Sequence, residues 1–345
     1  MKYRVCWLTL NRSCNLRCVW CYASNTNYRK EDTLSYEDAT KIIDICSDVG
    51  IKRIVLMGGE PTLYSYLFDL IQYINDKRMK VSIITNGVLF SNKEFADKIL
   101  ASKLNSITIS CKGENREIFR NVAGFDRYRD VVEGINYLIH KDKRFNVSMV
   151  LTKDNIPSYI EGVKTLYNLG VKHFHFSFCY EMQYSSTYEL PERPSEIINK
   201  FINSYDELDE ACEGNFDLFN GYPLCLRPTE FLSKLVKKKQ MTTVCQLLKH
   251  AGLVFDTDGT IIPCNAMTNI KIGKLNIDFY DAKTLIEFLN EPDIDNIYKE
   301  LRCLPDKDCL KCKALSNCGG GCVCHWTKYS YGDLNQKGEI LWRKN

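Results

Sequence analysis

The chain has 345 residues, of which 45% are hydrophobic and 26% are charged, and its formal net charge is +3. This composition is typical of a soluble globular protein, and the length allows one large domain with a smaller addition. A charge so close to zero does not favour a nucleic-acid or membrane partner, and we find no apolar stretch long enough to span a bilayer. The first residues lack the layout of a signal peptide, so we expect a cytoplasmic protein.

The 17 cysteines are the unusual feature of the composition. Small exported domains use many cysteines for disulfides, but this chain is large and carries no recognisable export signal. Its cysteines also gather toward both ends of the sequence. We therefore interpret them chiefly as reduced thiols that bind metal.

Short apolar runs alternate with amphipathic helical patterns from residue 3 to about residue 178. The predicted strands are Tyr3–Leu10, Arg53–Met57, Lys80–Ile84, Ser106–Ser110, Asn146–Val150 and His173–Phe178. The predicted helices are Tyr36–Val49, with Ser35 as its N-cap, Ser65–Lys77, Lys93–Ala101, Tyr128–His140 and Ile160–Leu169. This alternation predicts parallel βαβ units, but it does not distinguish a partial or full barrel from an open sheet.

The second half of the sequence has a different texture. Residues from about 190 to 240 follow a polar, helical pattern, and after Cys245 short strands, glycine turns and clustered cysteines take over. We accordingly expect a catalytic core at 1–190, a helical bridging segment at 191–240 and a cysteine-rich domain at 241–345.

Three cysteines, Cys14, Cys18 and Cys21, follow the first predicted strand at spacings of four and three. A [4Fe–4S] cluster usually takes four cysteines, so a set of three leaves one iron with an open position for a substrate or cofactor. A zinc knuckle or a chance grouping is the alternative for this triplet alone.

Glycine-containing loops follow the next two predicted strands, Met57-Gly58-Gly59-Glu60-Pro61-Thr62 and Thr85-Asn86-Gly87. Glycine lets a small ligand approach the backbone closely. In barrel-like α/β folds the active site lies at the carboxyl ends of the strands. We therefore expect the cysteine triplet and these two loops to meet at one cofactor site.

Residues 14–21 resemble the CxxxCxxC signature of the radical S-adenosylmethionine (SAM) superfamily, and Gly58-Gly59-Glu60-Pro61 resembles its GGEP motif. The resemblance implies a partial (βα)6 barrel in which SAM binds the open iron and is cleaved to a 5′-deoxyadenosyl radical. The family's Ser-Ile-Asp-Gly is present here as Ser110-Cys111-Lys112-Gly113, and the alternative for Ser110 is simply the end of a buried strand. The cofactor-binding residues that we expect from the resemblance and the loops are Trp20, Gly58, Gly59, Glu60, Asn86, Ser110 and Arg120.

The cysteines after residue 240 resemble those of the SPASM domain, which is found on radical SAM enzymes that modify peptides and proteins. The resemblance implies two auxiliary [4Fe–4S] clusters. The inner one would use Cys245, Cys264 and Cys322, and the outer one Cys309, Cys312 and Cys318. A zinc ribbon over residues 309–322 is the alternative.

The sequence departs from this family pattern at the fourth ligand of each auxiliary cluster. The family has a further cysteine soon after the first one and another well beyond the glycine-rich turn, and this chain has neither. For the outer cluster we expect Cys324, with Cys303 as the second candidate. For the inner cluster we expect Cys225 or an open site.

These resemblances imply hydrogen-atom abstraction by a SAM-derived radical. Three functions stay open: modification of a peptide or protein by a thioether link, a carbon–carbon crosslink or epimerisation; oxidation or rearrangement of a small metabolite such as an amino sugar; and electron transfer without SAM turnover. The first would call for a separate leader-recognition protein, and a reductant such as flavodoxin or ferredoxin is expected. Asn265 stands where sulfatase maturases place a carboxylate base, and an amide cannot remove a proton near neutral pH, which argues against that one reaction.

Overall fold

The computed structural model describes residues 3–21, 29–179, 194–219, 221–242, 245, 251–301, 304–322 and 324. The strands are β1 (Val5–Thr9), β2 (Arg53–Met57), β3 (Lys80–Thr85), β4 (Ser106–Cys111), β5 (Asn146–Leu151), β6 (Phe174–Phe178), β7 (Phe216–Phe219), β8 (Met241–Thr242), β9 (Gly252–Phe255), β10 (Thr260–Ile262) and β11 (Gly273–Lys274). The helices are α1 (Tyr36–Val49), α2 (Leu67–Asp76), α3 (Lys93–Ala101), α4 (Arg116–Ala123), α5 (Tyr128–His140), α6 (Tyr159–Leu169), α7 (Pro194–Asn203), α8 (Tyr205–Ala211), α9 (Thr229–Lys237), α10 (Ala282–Leu289), α11 (Pro292–Leu301) and α12 (Leu315–Cys318).

These strands form one sheet in the order β11-β10-β9-β1-β2-β3-β4-β5-β6-β7-β8. Strands β1 to β8 pair in parallel with their neighbours, and β9 runs parallel to β1 on its other side. Among the described strands, β9–β10 and β10–β11 are the antiparallel pairs. The predicted α/β fold with a parallel sheet is confirmed, and within the described residues the sheet is not closed, as in a partial barrel.

Helix α1 shows why the sequence patterns located most elements well. The Ser35 hydroxyl accepts a hydrogen bond from the backbone N–H of Asp38 at 3.0 Å, and Gly50 ends the helix in the left-handed region at φ 87°. Between these caps, Ile42, Ile43 and other apolar residues face the core. In the described part of the chain, no helix has both the length and the hydropathy to cross a membrane.

Two parts of the fold differ from the predicted elements. Helix α4 was not predicted, although Asn115 caps its start and Gly124 its end. The segment predicted as helical at 191–240 also contains β7, and β8 follows directly after it; both strands extend the sheet beyond β6. The predicted boundary between 190 and 191 lies outside the described residues, and the division into domains stays a prediction.

Strand β9 attaches the cysteine-rich part of the chain to the centre of the sheet. It pairs with β1 from Val5↔Gly252 to Leu8↔Phe255. A Cβ atom at Gly252 would lie 2.3 Å from Cζ3 of Trp7 and 2.9 Å from the Val5 carbonyl oxygen. Only glycine lets β9 pair with β1 while the Trp7 ring lies against this position.

We expect Gly252→Ala to lower the free energy of unfolding by about 1–3 kcal/mol, because the added methyl must displace the indole ring or separate the strands. The control is Ile277→Ala, since Ile277 is 64% exposed and its truncation should change stability by at most about 0.5 kcal/mol. Urea midpoints of the two variants and the parent protein measure the difference. Equal midpoints for all three proteins would show that the Trp7 ring moves aside without loss of stability.

Candidate functional site

The cysteine triplet lies in the loop after β1, at the carboxyl end of the parallel strands. Cys14, Cys18 and Cys21 are all partly buried, and the backbone N–H of Cys21 donates to the Cys18 carbonyl oxygen at 3.0 Å. The three side chains are near enough for their charges to interact. The described cysteines form no disulfide bonds with one another, so these sulfurs stay available as ligands.

The loop after β2 holds the segment that leads to Cys14. The backbone N–H groups of Gly59 and Glu60 donate to the carbonyl oxygens of Asn11 and Ser13, each at 2.8 Å. A Cβ at Gly58 would lie 2.5 Å from Oδ1 of Asn11, and one at Gly59 would lie 2.5 Å from the Ser13 carbonyl oxygen. Close packing against residues 11–13 therefore requires glycine at both positions, which the sequence did not indicate. Their contact with a cofactor stays a prediction.

Two further elements hold the cysteine loop from its other sides. The Asn86 amide, after β3, donates to Oδ1 of Asn15 at 2.6 Å and to the Cys14 sulfur at 3.9 Å. At the end of α4, the carbonyl oxygens of Ala123 and Val122 accept from Arg17 at 2.8 Å and Val19 at 2.9 Å. The triplet and the two glycine loops thus meet as predicted, and α4 is a contributor that sequence reasoning missed.

The Glu60 carboxylate connects the β2 and β3 loops. It accepts hydrogen bonds from the Thr62 hydroxyl at 2.6 Å, the Thr62 N–H at 3.1 Å, the Thr85 hydroxyl at 2.6 Å and the Asn86 N–H at 2.7 Å. Burial raises the pKa of this carboxyl, and the four donors oppose the rise by favouring the ionised form. Its oxygens are directed at these protein donors, so Glu60 positions the loops around the triplet.

Lys112 brings a buried positive charge to the site. Its Nζ donates to the Ser110 hydroxyl at 2.6 Å and lies 4.3 Å from the centre of the Trp20 ring. Burial raises the pKa of Cys18 to about 11, and the charge of Lys112 acts against this rise. The lysine that replaces the family's aspartate is therefore part of the site, beside two of the predicted cofactor residues.

Trp20 and Arg120 differ in their surroundings. The Trp20 ring packs against Val122 and Cys179, and its Nε1 is buried without a hydrogen-bond partner. Arg120, by contrast, is exposed on α4, where its charge interacts with Asp126. Among the hydrogen bonds and ion pairs of the described residues, none joins Arg120 to Ser110.

The inner auxiliary set gathers around the end of β10. Cys324, which is 1% exposed, donates a hydrogen bond to the Cys264 sulfur and is also hydrogen-bonded to Cys322. The hydrogen bond from Cys324 lowers the pKa of Cys264 to about 7. Cys245 is half-buried and packs against the same core. Cys324, expected with the outer set, lies instead with two residues of the inner one.

The outer set, Cys309, Cys312 and Cys318, lines a cavity of about 340 Å³. Cys225 lines the same cavity, although we expected it with the inner set. The structure thus places Cys225 beside the outer set and Cys324 beside the inner set, the reverse of what we expected. Cys303 lies outside the described residues.

The match to a known family covers the triplet, both glycine loops and α4. A family model described as the radical SAM superfamily matches residues 8–166. This chain carries a radical SAM domain. The resemblance that the motifs suggested is confirmed, and the radical SAM domain implies SAM and one [4Fe–4S] cluster as cofactors.

Curated relatives share this radical SAM domain. The probable GTP 3′,8-cyclase of Sulfurisphaera tokodaii is 31% identical over 170 residues, which are 49% of this chain and 53% of the relative. The AdoMet-dependent heme synthase of Methanosarcina barkeri is 27% identical over 170 residues, 49% of this chain and 48% of the relative. The chain spans about half the length of the curated relatives that it matches.

Solved structures extend the likeness of fold beyond the radical SAM domain. Streptococcus suis SuiB bound to S-adenosylmethionine superposes with a TM-score of 0.73 at 19% identity, over 98% of this chain and 77% of SuiB. Native anSMEcpe with bound AdoMet gives 0.73 at 18% identity, over 98% of this chain and 96% of that one. At these identities the comparison establishes the fold.

We expect Glu60→Gln to destabilise the metal-free protein by about 1–3 kcal/mol, because an amide N–H₂ would then face buried donors. Glu94→Gln on the surface of α3 is the matched control; it removes only an exposed ion pair with Lys98 and should shift the midpoint of unfolding far less than Glu60→Gln does. Guanidinium denaturation of both variants makes the comparison. An equal loss of stability in the two variants would mean that the four hydrogen bonds of Glu60 do not hold the loops together.

We expect Lys112→Met to weaken iron retention at the triplet, because the buried positive charge that favours the Cys14 and Cys18 thiolates is lost. The paramagnetic resonance signal that changes on addition of SAM identifies this cluster, and its intensity after desalting should fall severalfold. Lys283→Met, at an exposed lysine, controls for surface charge. An unchanged signal in Lys112→Met would exclude an electrostatic role for Lys112.

Proposed function

We propose that this protein is a radical SAM enzyme of the SPASM type that modifies a peptide or protein. The observation that carries the proposal is the extent of the fold likeness, which includes the cysteine-rich C-terminal part as well as the radical SAM domain. SuiB has been solved with the precursor peptide SuiA, and anSMEcpe with the Cp18Cys peptide. The cyclase and heme synthase relatives match only about half of this chain.

In this proposal Cys14, Cys18 and Cys21 hold the catalytic [4Fe–4S] cluster. The donor set fits, because three partly buried thiols share one loop whose backbone is fixed on three sides. The unpartnered Nε1 of Trp20 offers a buried donor to a bound cofactor. When bound, the cluster and SAM supply a carbon-centred radical that removes a hydrogen atom from the substrate.

A cavity of about 590 Å³ on the β9–β10 side of this site suits a polar substrate. Thr260 and Thr268 line it, and the Thr268 hydroxyl is buried without a hydrogen-bond partner. The buried Arg12–Asp256 ion pair forms another part of its wall. Unpartnered buried polar groups are rare in folded proteins, and a peptide backbone offers both donors and acceptors to satisfy them.

Asn265 is placed to orient a substrate. Its Nδ2 donates to the Met57 sulfur at 3.1 Å, and its Oδ1 is buried without a partner. Met57 ends β2, directly before Gly58, so this amide lies beside the loop that fixes the triplet. An amide can accept a hydrogen bond from a substrate N–H, but it cannot act as a base.

Oxidation or rearrangement of a small metabolite is the second candidate. The 31% identity to a probable GTP 3′,8-cyclase is the observation that favours it. Either reaction needs an external reductant such as flavodoxin or ferredoxin, and the peptide reaction adds a separate leader-recognition protein to the proposed partners.

The test is anaerobic incubation of the protein with SAM, dithionite and a panel of short cysteine- or glycine-rich peptides. We expect 5′-deoxyadenosine together with a peptide that has lost two hydrogen atoms by crosslinking, or that has taken up one deuterium from D₂O by epimerisation. Cys18→Ala should abolish both products. Cys46→Ala, which changes a buried residue of α1, should retain both.

The alternative functions give different results in the same experiment. SAM cleavage that leaves every peptide unchanged, but alters a candidate metabolite, would favour the second function. A protein that contains iron, yet makes no 5′-deoxyadenosine with any substrate, would favour an electron carrier.

A further inference from the structure

Cys225 lies in a turn between β7 and α9, far in sequence from Cys309, Cys312 and Cys318. It is 6% exposed and belongs to a short 3₁₀ helix, Leu224–Leu226. Its neighbours across the cavity of about 340 Å³ are Cys309, Cys312 and Cys318. Four cysteines therefore surround one space, although only three of them are close together in the sequence.

The turn is joined to the cysteine-rich segment by specific contacts. The backbone N–H of Cys322 donates to the Gly221 carbonyl oxygen at 2.6 Å, and that of Leu224 donates to the Cys318 sulfur at 3.3 Å. A Cβ at Gly321 would lie 2.8 Å from the Pro223 nitrogen, so this approach requires glycine. Backbone N–H groups directed at sulfur are typical of iron–sulfur ligands, because they stabilise the thiolate.

Arg227 supplies a second, independent observation. This arginine is 1% exposed; its Nη1 donates weakly to the Pro223 carbonyl oxygen at 3.4 Å, and its Nη2 is buried without a hydrogen-bond partner. Its charge interacts with the sulfurs of Cys225 and Cys318. A buried cation is costly unless an anion lies near it, and a cluster held by four thiolates carries net negative charge.

The competing fourth ligand is engaged elsewhere. Cys324 hydrogen bonds with Cys264 and Cys322. Its sulfur therefore belongs with the inner set, two of whose members it touches.

A single zinc ion does not suit the spacing of the outer cysteines. Thiolates around one zinc lie roughly 3.8 Å apart, given Zn–S bonds of about 2.3 Å. In the part of the chain that the structure describes, only His173, His175 and Asp217 bring three ligand atoms within 4.8 Å of one another. The cavity is also about ten times the share of one water molecule, roughly 30 Å³, which favours an occupant larger than one ion.

We propose that Cys225 is the fourth ligand of the outer auxiliary [4Fe–4S] cluster, with Cys309, Cys312 and Cys318, and that Arg227 is its buried counter-charge. The inference rests on the proposed function, which supplies the auxiliary clusters. With four thiolates from the protein, no iron of the outer cluster is left for a substrate. This cluster then serves electron transfer, and substrate binding falls to other parts of the protein.

The test compares full-length variants purified without oxygen, by iron content and paramagnetic resonance after reduction. From about twelve irons in three clusters, Cys225→Ala should lose up to about a third, or convert one cluster to a three-iron form with its own signal. Cys324→Ala should alter a different signal, and Cys212→Ala, at another buried cysteine, should alter none. Full iron and unchanged spectra in Cys225→Ala would overturn the proposal.

Two further variants separate the possible failures. If Cys225→Ala does not fold, as judged by circular dichroism, Cys225→Ser decides: a changed outer-cluster signal supports the assignment and an unchanged one rejects it. The double variant Cys309→Ala/Cys312→Ala tests the outer cluster itself. If that variant keeps all its iron, the protein has no outer cluster and the proposed function is wrong on that point. If it loses iron and Cys225→Ala does not, only the role of Cys225 is wrong.

Discussion

The backbone of residues 11–13 passes so close to Gly58 and Gly59 that neither position has room for a side chain. This contact fixes the path of the chain into Cys14, because the hydrogen bonds from Gly59 and Glu60 can form only at that separation. The Glu60 carboxylate then transmits the constraint to the loop after β3. The arrangement of the triplet thus depends on one close backbone approach, and the contacts from Asn86 and α4 refine it.

The same strand that leads into the triplet also joins the two cysteine-rich ends of the chain. Strand β1 has β2 on one side and β9 on the other, so the turns after both neighbours lie near its carboxyl end. Asn265, which follows the β9–β10 hairpin, consequently reaches the Met57 sulfur before Gly58. Residues about 200 positions apart share one site because β9 continues a parallel sheet with β1.

Local patterns were sufficient to predict α1, β2, α3 and α5, whose observed bounds equal the predicted ones. They did not reveal α4, which has only eight residues and three buried side chains, or β7, with four residues in a polar stretch. Motif spacing grouped the cysteines into sets, and their role as ligands stays a prediction. It could not show that Cys225 lies beside the outer set, because the contact of the Leu224 turn with Cys318 is a tertiary one.

Buried positive charge accompanies two of the cysteine sets. Lys112 lies beside the triplet and Arg227 beside the outer set, and neither forms an ion pair with a carboxylate among the ion pairs of the described residues. Desolvating such a charge costs free energy, and in the proposed enzyme iron-bound thiolates would supply the anion that offsets the cost. Under this proposal the metal-free chain retains a penalty that the loaded protein loses. Cluster assembly and folding would then be coupled through these two side chains, in the way that ligand binding to the native state raises stability.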